Sequence, residues 1–204
     1  MAKIELLGKN LSELNNICME RGFPKFHGEQ LYKWMYQKTI IEVDNMSNIP
    51  NELKKIIVTE YKINLLNTKN KLYSKEDNTI KYLFKTFDNQ LIESVSMIDN
   101  NRHTVCISSQ IGCSVNCDFC ATAKMGIIRN LTCGEIIQQL MIISDERELS
   151  ITNIVFMGMG EPFLNYNNVI KSCNIINDVK GFNLSSKKIT ISTSGVLPKI
   201  EKFI

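Results

Sequence analysis

The chain has 204 residues, 44% of them hydrophobic, with 24 Lys+Arg against 21 Asp+Glu and a formal net charge of +3. That length carries one large domain or two small ones around a sizeable core. No apolar run approaches the roughly 20 residues of a membrane span, and "MAKIELLGKN" has no signal-peptide core, so a cytoplasmic protein with no membrane partner is expected.

Charge is spread evenly. Residues 1–100 hold 14 basic against 13 acidic side chains and residues 101–204 hold 10 against 8, which neither demands nor excludes a nucleic-acid partner. The first third reads as short helices. "NLSELNNICMERG" has Asn10 as cap, Glu13 three residues on, Leu11, Leu14, Ile17 and Cys18 on one face, and Gly22 as stop. "GEQLYKWMYQK" places Leu31, Trp34 and Met35 together, and a third helix starts at Pro50 with Leu53, Ile56 and Ile57 inward. The pattern fits a small helical bundle, and it leaves open whether that bundle also binds RNA.

Residues 79–98 change period. "TIKYLFKT" and "QLIESVSMI" alternate around "FDNQ", predicting a β-hairpin. Leu91, Glu93, Val95 and Met97 share one face, so Glu93 is either on an edge or a carboxylate held among apolar neighbours for general-base work. From residue 103 the order becomes strand, helix, strand, helix, strand: "HTVCISSQI", a helix capped by Thr132 and Glu135 running to about Ser144, "NIVFMGMG", "NNVIKSCNIIND" and "KITISTSG". Apolar strands alternating with helices of this length predict βαβ units and a parallel sheet. The chain ends at "PKIEKFI", inside a further helix.

The seven cysteines divide unevenly. Cys113, Cys117 and Cys120 fall within "GCSVNCDFCATAKMG" at C-x3-C-x2-C spacing, while Cys18, Cys106, Cys133 and Cys173 are scattered. An odd count with three thiols in one loop favours metal or redox chemistry over a disulfide framework. Three thiolates can hold three irons of a 4Fe-4S cluster and leave the fourth iron open to a small ligand. The alternative is a zinc site completed by Cys106, Cys133 or His103, or one split between chains. The loop follows the first strand of the βαβ series, at the sheet edge where α/β active sites are built. At the same edge, Gly158 and Gly160 in "MGMGEP" allow close backbone approach to a ligand beside Glu161, and "STSG" offers Ser192, Thr193 and Ser194.

Together these segments resemble a known family. "CISSQIGCSVNCDFCATAKMG", "NIVFMGMGEPFLNYNNV" and "KITISTSGVLP" are similar to the radical S-adenosylmethionine superfamily and, more narrowly, to the RlmN-type dual-specificity RNA methyltransferases. "GFPKFHGEQLYKWMY" resembles that family's N-terminal accessory domain. The resemblance implies an α/β fold: the N-terminal half of a partial TIM-type barrel, preceded by a small helical accessory domain and a β-hairpin. It divides the chain into an RNA-binding helical domain at 1–70, a hairpin connector at 71–101 and the first three βα units of the radical core at 102–204.

The implied activity is methylation of carbon-2 of adenine in 23S ribosomal RNA and certain transfer RNAs, with an electron donor such as flavodoxin or ferredoxin. A related carbon-8 methyltransferase, or an inactive RNA- or metal-binding fragment, stand as alternatives. By resemblance, Cys113, Cys117 and Cys120 ligate the cluster and S-adenosylmethionine chelates its open iron. Gly160, Glu161 and Ser192 contact that cofactor, Glu93 accepts a proton, and Cys106 resolves the RNA adduct by forming a disulfide. The family's methyl-carrying cysteine lies in a C-terminal segment that these residues do not include. Neither Cys133, in the first turn of a helix, nor Cys173, on an apolar helical face with Val169 and Ile176, is expected to replace it. A sheet ending at its third strand has an open apolar edge, so a truncated product, or a fragment completed by another segment, is expected.

Overall fold

The computed structural model describes residues 3–147 and 149–204. Strand β1 (Ile4–Glu5) precedes helix α1 (Leu11–Glu20), whose start is a full capping box: the Asn10 side chain accepts from the Glu13 N–H at 2.9 Å, and the Glu13 carboxylate accepts from the Asn10 N–H at 2.7 Å. Gly22, at φ +79°, ends it. The N–H groups of Phe23 and Gly22 donate to Cys18 and Met19, satisfying carbonyls the helix leaves open. Helix α2 (Phe26–Tyr32) continues through a π-helical turn at Lys33–Gln37, and α3 (Asn51–Glu60) follows Pro50. Strand β2 (Tyr61–Lys62) returns parallel to β1.

The chain then builds one six-stranded sheet. Strands β3 (Leu66–Tyr73), β4 (Ile80–Thr86) and β5 (Leu91–Asp99) form an antiparallel meander, and β6 (Arg102–Cys106) pairs antiparallel with β5. Two short strands leave the sheet: β7 (Gln110–Gly112) pairs antiparallel with β8 (Ile127–Asn130). Helix α4 (Cys133–Arg147) leads back to β9 (Asn153–Phe156), parallel to β6, and α5 (Tyr166–Asn177) leads to β10 (Ile189–Ile191), parallel to β9. Helix α6 (Leu197–Phe203) closes the described chain. The strand order is β10-β9-β6-β5-β4-β3, an open α/β sheet with β10 and β3 at its edges.

Two expectations are corrected. The expected hairpin has a third strand, β3, and it is continuous with the parallel strands rather than separate from them. The single strand expected over "HTVCISSQI" is interrupted after Cys106. There the Gln139 side chain takes both backbone groups of Ser108, accepting from its N–H at 2.8 Å and donating to its carbonyl at 3.1 Å, so the chain turns out of the ladder.

One face of the sheet is packed by α4 and α5. Tyr82, Phe84, Ile92, Val105, Ile154 and Phe156 meet Ile136, Leu140, Ile143, Val169 and Ile176 in a single buried cluster. The opposite face, with Leu91, Glu93, Val95, Met97 and Cys106, stays half-exposed. A second cluster joins Leu14, Cys18, Leu31, Met35, Leu53 and Ile57 of the helical module to Cys133, Ile137 and Met141 of α4.

The module meets α4 backbone to backbone. Gly8 has φ +89°, and a Cβ there would fall 2.9 Å from the Gly134 Cα; a Cβ on Gly134 would fall 2.5 Å from the Leu7 carbonyl oxygen. Neither obstacle is a side chain that could swing aside. Gly8→Ala and Gly134→Ala are each expected to cost about 1–3 kcal/mol, read from urea midpoints, whereas Gly22→Ala, with open space around it, pays only for its backbone conformation.

Candidate active site at the carboxyl ends of the parallel strands

The segments that follow β6, β9 and β10 meet at one rim. The N–H groups of Ser109 and Gln110 both donate to the Met159 carbonyl, at 2.9 and 3.2 Å, and the Gln110 side chain accepts from the Glu161 N–H at 2.8 Å. Gly160 makes this approach possible: its φ is +97°, and a Cβ there would lie 2.5 Å from the Gln110 Cβ. The Asn165 amide donates to the carbonyls of Ser109 and Leu131, at 2.7 and 2.8 Å, pinning both ends of the cysteine hairpin.

Glu161 is buried and fully engaged. Its carboxylate accepts from the Phe163 N–H at 2.9 Å, from the Thr193 hydroxyl at 2.7 Å and from the Ser194 N–H at 2.7 Å. Burial alone would raise its pKa, but the donors from Ser194, Phe163 and Thr193 outweigh it and hold the carboxyl below its ordinary value. It caps the short helical turn Pro162–Asn165 and ties the end of β9 to the segment after β10, beside which Ser192 is exposed.

The cysteine loop spans residues 113–126 between β7 and β8, closed at its base by the Cys113 N–H donating to the Gly126 carbonyl at 3.0 Å. Its three thiols are half-buried and free. Cys120 stands just before a one-turn helix (Ala121–Met125), and the backbone N–H groups of Ala123 and Thr122 hold its thiol below the ordinary cysteine pKa. The loop therefore offers three accessible sulfurs, at least one biased toward thiolate, which fits a cluster that takes one thiolate per iron. Among the described residues, no three His, Cys, Asp or Glu side chains gather as a single-ion site.

The candidates for a fourth zinc ligand are occupied elsewhere. His103 is fully buried near the start of β6; Nδ1 donates to the Leu149 carbonyl at 3.0 Å, and Nε2 accepts from the Ser96 hydroxyl at 2.9 Å. Burial lowers its pKa against the smaller effect of that carbonyl. Cys133 packs in the module core and receives the Ser172 hydroxyl at 3.3 Å, and burial pushes its thiol up to about 11. Cys106 projects from the half-exposed sheet face, directly opposite Val95, and burial raises its thiol more than the Met157 backbone lowers it.

Glu93 lies on that same face, two residues from Val95, so the register brings Glu93 and Cys106 together as diagonal neighbours. The Glu93 carboxylate is half-exposed and pairs with the Lys81 ammonium at 2.7 Å. Glu93 is therefore not on an edge, since β5 lies between β4 and β6, and its carboxylate is half-exposed rather than buried among apolar neighbours. Arg129, Asp88 and Asn165 carry no signal in their own segments for the contacts they make. For Gln138 and Gln139 the signal was present: two amides interrupt the apolar run of "EIIQQLMII".

An open α/β sheet with a three-cysteine loop and glycine-rich strand ends on one rim defines a radical S-adenosylmethionine domain. Residues 107–204 match the "Radical SAM superfamily", and residues 4–63 match the "Ribosomal RNA large subunit methyltransferase N-terminal domain". Proteins described as "Probable dual-specificity RNA methyltransferase RlmN" from Thermosipho melanesiensis and Dictyoglomus turgidum are each 40% identical to this chain, over 195 and 198 residues. Both alignments include 96% of this chain but 57% and 56% of the relatives, so the chain spans a little over half the length of the curated relatives it matches. A crystal structure of a radical SAM methyltransferase from Sphaerobacter thermophilus superposes with a TM-score of 0.92 at 37% identity, covering 98% of this chain and 60% of that one. Along nearly its whole length the chain is similar to the RlmN-type methyltransferases.

The Glu161 clamp can be tested by itself. Glu161→Gln keeps the shape but weakens the three charge-assisted hydrogen bonds, and a loss of about 1–3 kcal/mol at pH 7 is expected. Because the folded carboxyl is held below its unfolded value, its contribution is present above about pH 4.3 and disappears as pH falls through the folded pKa. Denaturant melts between pH 7 and pH 3 should therefore show wild type and variant converging at the acid end.

Proposed function

We propose that this chain carries the cluster-binding and base-handling part of an RNA methyltransferase acting on carbon-2 of adenine in 23S ribosomal RNA and in transfer RNA. One observation carries the reading: the cysteine hairpin, the Gly160–Glu161 strand end and the face bearing Glu93 and Cys106 are built onto one end of one sheet. When bound, a 4Fe-4S cluster and S-adenosylmethionine supply one-electron chemistry able to break an inert C–H bond.

The remaining roles fall to the chain's own side chains. Cys113, Cys117 and Cys120 hold the cluster. Gly160 brings the strand-end backbone close to the cofactor's amino-acid end; Glu161 holds the Thr193–Ser194 segment, and Ser192 faces the cofactor from that segment. Glu93 takes the proton from the methylated base, with the Lys81 ammonium paired beside it. The Cys106 thiol, on the same face, ends the covalent RNA adduct by forming a disulfide; its partner, the methyl-carrying cysteine, belongs to the family's C-terminal segment.

In domain terms, 1–70 carry an RNA-binding helical module, 71–101 the hairpin connector and 102–204 the radical core, with β3 (Leu66–Tyr73) crossing the first boundary and joining the hairpin's sheet. Free thiols and an exposed cluster loop suit a reducing compartment, and we place the protein in the cytoplasm with a low-potential donor such as flavodoxin or ferredoxin.

Anaerobic reconstitution with iron and sulfide tests the site. About four irons per chain are expected, one per cluster corner. Cys113→Ala, Cys117→Ala and Cys120→Ala should each lose them, while Cys133→Ala and Cys173→Ala should not. Uptake of one zinc in place of the cluster would sink the reading. For the full-length protein, mass spectrometry of the modified adenosine distinguishes carbon-2 from carbon-8.

A further inference from the structure

We propose that Arg129 is a positioning residue for the cysteine loop: it locks the hairpin that carries Cys113, Cys117 and Cys120 to the strand that carries Glu93. The inference rests on the cluster reading above. Arg129 sits on β8, three residues beyond Gly126, whose carbonyl closes the base of the loop. Its guanidinium is shared between two carboxylates from different parts of the fold. Nε and Nη2 donate to Asp88 at 2.8 Å each, and Nη1 and Nη2 donate to Glu135 at 2.7 Å each. A further bond from Nη1 to the Asn130 carbonyl at 3.1 Å brings all five guanidinium N–H groups into use.

The two partners have different consequences. Glu135 is fully buried in the first turn of α4, and it already accepts from the Thr132 N–H at 2.9 Å in a capping box. The helix would be capped without help, so the arginine's contribution there is to neutralise a buried charge. Asp88 is in the β4–β5 turn, three residues before β5 begins and five before Glu93. Arg129 and the Thr86 hydroxyl both bond to it, and its carboxyl is held far below the usual carboxylate range, by Arg129 above all. The Phe87 ring lies 5.3 Å from the guanidinium carbon, so the turn is gripped by charge and by ring.

The only covalent route between the cysteine loop and Glu93 is the chain through β6 and β7. Arg129 adds a second, rigid route from the other side of the loop. A lysine cannot reproduce it, because one ammonium lacks the planar fork needed to meet two carboxylates at once.

The experiment uses the anaerobically reconstituted 204-residue chain and reads the rate of iron removal by a chelator and the electron paramagnetic resonance spectrum of the reduced cluster. The variants are Arg129→Met, Arg129→Lys and Asp88→Asn, with Ile57→Val, buried in the helical module, as a stability control. Asp88→Asn leaves the Glu135 pair and the helix cap in place, so it stays informative if Arg129→Met folds poorly. Arg129→Met and Asp88→Asn are expected to release iron on the order of tenfold faster and to shift the spectrum, as loss of an outer-shell partner does at metal sites. Arg129→Lys should recover only part of this, and Ile57→Val should match wild type. If Arg129→Met and Asp88→Asn keep the wild-type rate and spectrum while melting earlier, Arg129 is merely structural and the proposal is overturned. If wild type itself takes up no cluster, the cluster reading falls and takes this inference with it; a sound cluster reading with a failed inference gives four irons at one rate in every variant.

Discussion

Helix α4 lies against both cores, and its first nine residues, Cys133 to Met141, are all buried. Cys133, Ile137 and Met141 face the helical module, and Ile136, Leu140 and Ile143 face the sheet. An isolated surface helix would have a solvated stripe. Here the positions between the two apolar stripes hold Glu135, Gln138 and Gln139, and burying an unpaired amide or carboxylate costs more than a typical hydrogen bond returns. Each is paired with a group from another element. Gln138 accepts from the N–H groups of Leu65 and Leu66 at 2.6 and 2.9 Å, where the chain leaves the module and enters β3. Gln139 accepts from the Ser94 hydroxyl at 2.7 Å and takes over the Ser108 backbone. The helix thereby sets where the module hands the chain to the sheet and where β6 stops.

The rim follows from that stop. Once Gln139 holds Ser108, its hydroxyl is free to bridge strands, donating to the Glu93 carbonyl at 2.6 Å and accepting from the Met159 N–H at 2.8 Å. The backbone of the strand that bears Glu93 is thus connected through one serine to the loop that ends in Gly160 and Glu161. From Glu161 the connections run on to Thr193 and Ser194, and from Asn165 to both ends of the cysteine hairpin. Backbone groups left open where parallel strands end are met by side chains of the neighbouring loops, and that need for satisfaction brings the loops together.

Local signals were legible in the sequence. The capping boxes at Asn10–Glu13 and Thr132–Glu135, the alternation of β4 and β5, and the cysteine spacing all depend on residues close together in the chain. What escaped depends on distant partners. The strand β3, "LNTKNKLY", has little apolar alternation, and it is a strand because β4 pairs with it along its whole length. The break after Cys106 is written in Gln139, 31 residues from Ser108. Arg129 looks like an exposed strand residue until the Asp88 turn, 41 residues earlier, is folded against it. Alternation puts Glu93 on the correct face, but its pairing with Lys81 is a cross-strand contact that its own strand cannot reveal.

The seven cysteines make the same point in chemical terms. Composition treats them as one odd set, yet the fold divides them by environment. Burial pushes the Cys18 and Cys133 thiols up to about 11 and the Cys173 thiol up to about 12, which leaves them protonated and unreactive near neutral pH. Cys120 is shifted the other way by backbone N–H groups at the start of a helical turn. Thiolate chemistry is therefore directed to the rim without any rule against cysteine elsewhere in the chain. Cys106 stands between the two groups: raised by burial, yet on the half-exposed face beside Glu93. Its raised pKa separates it from Cys120, and its half-exposed position separates it from the buried Cys18 and Cys133.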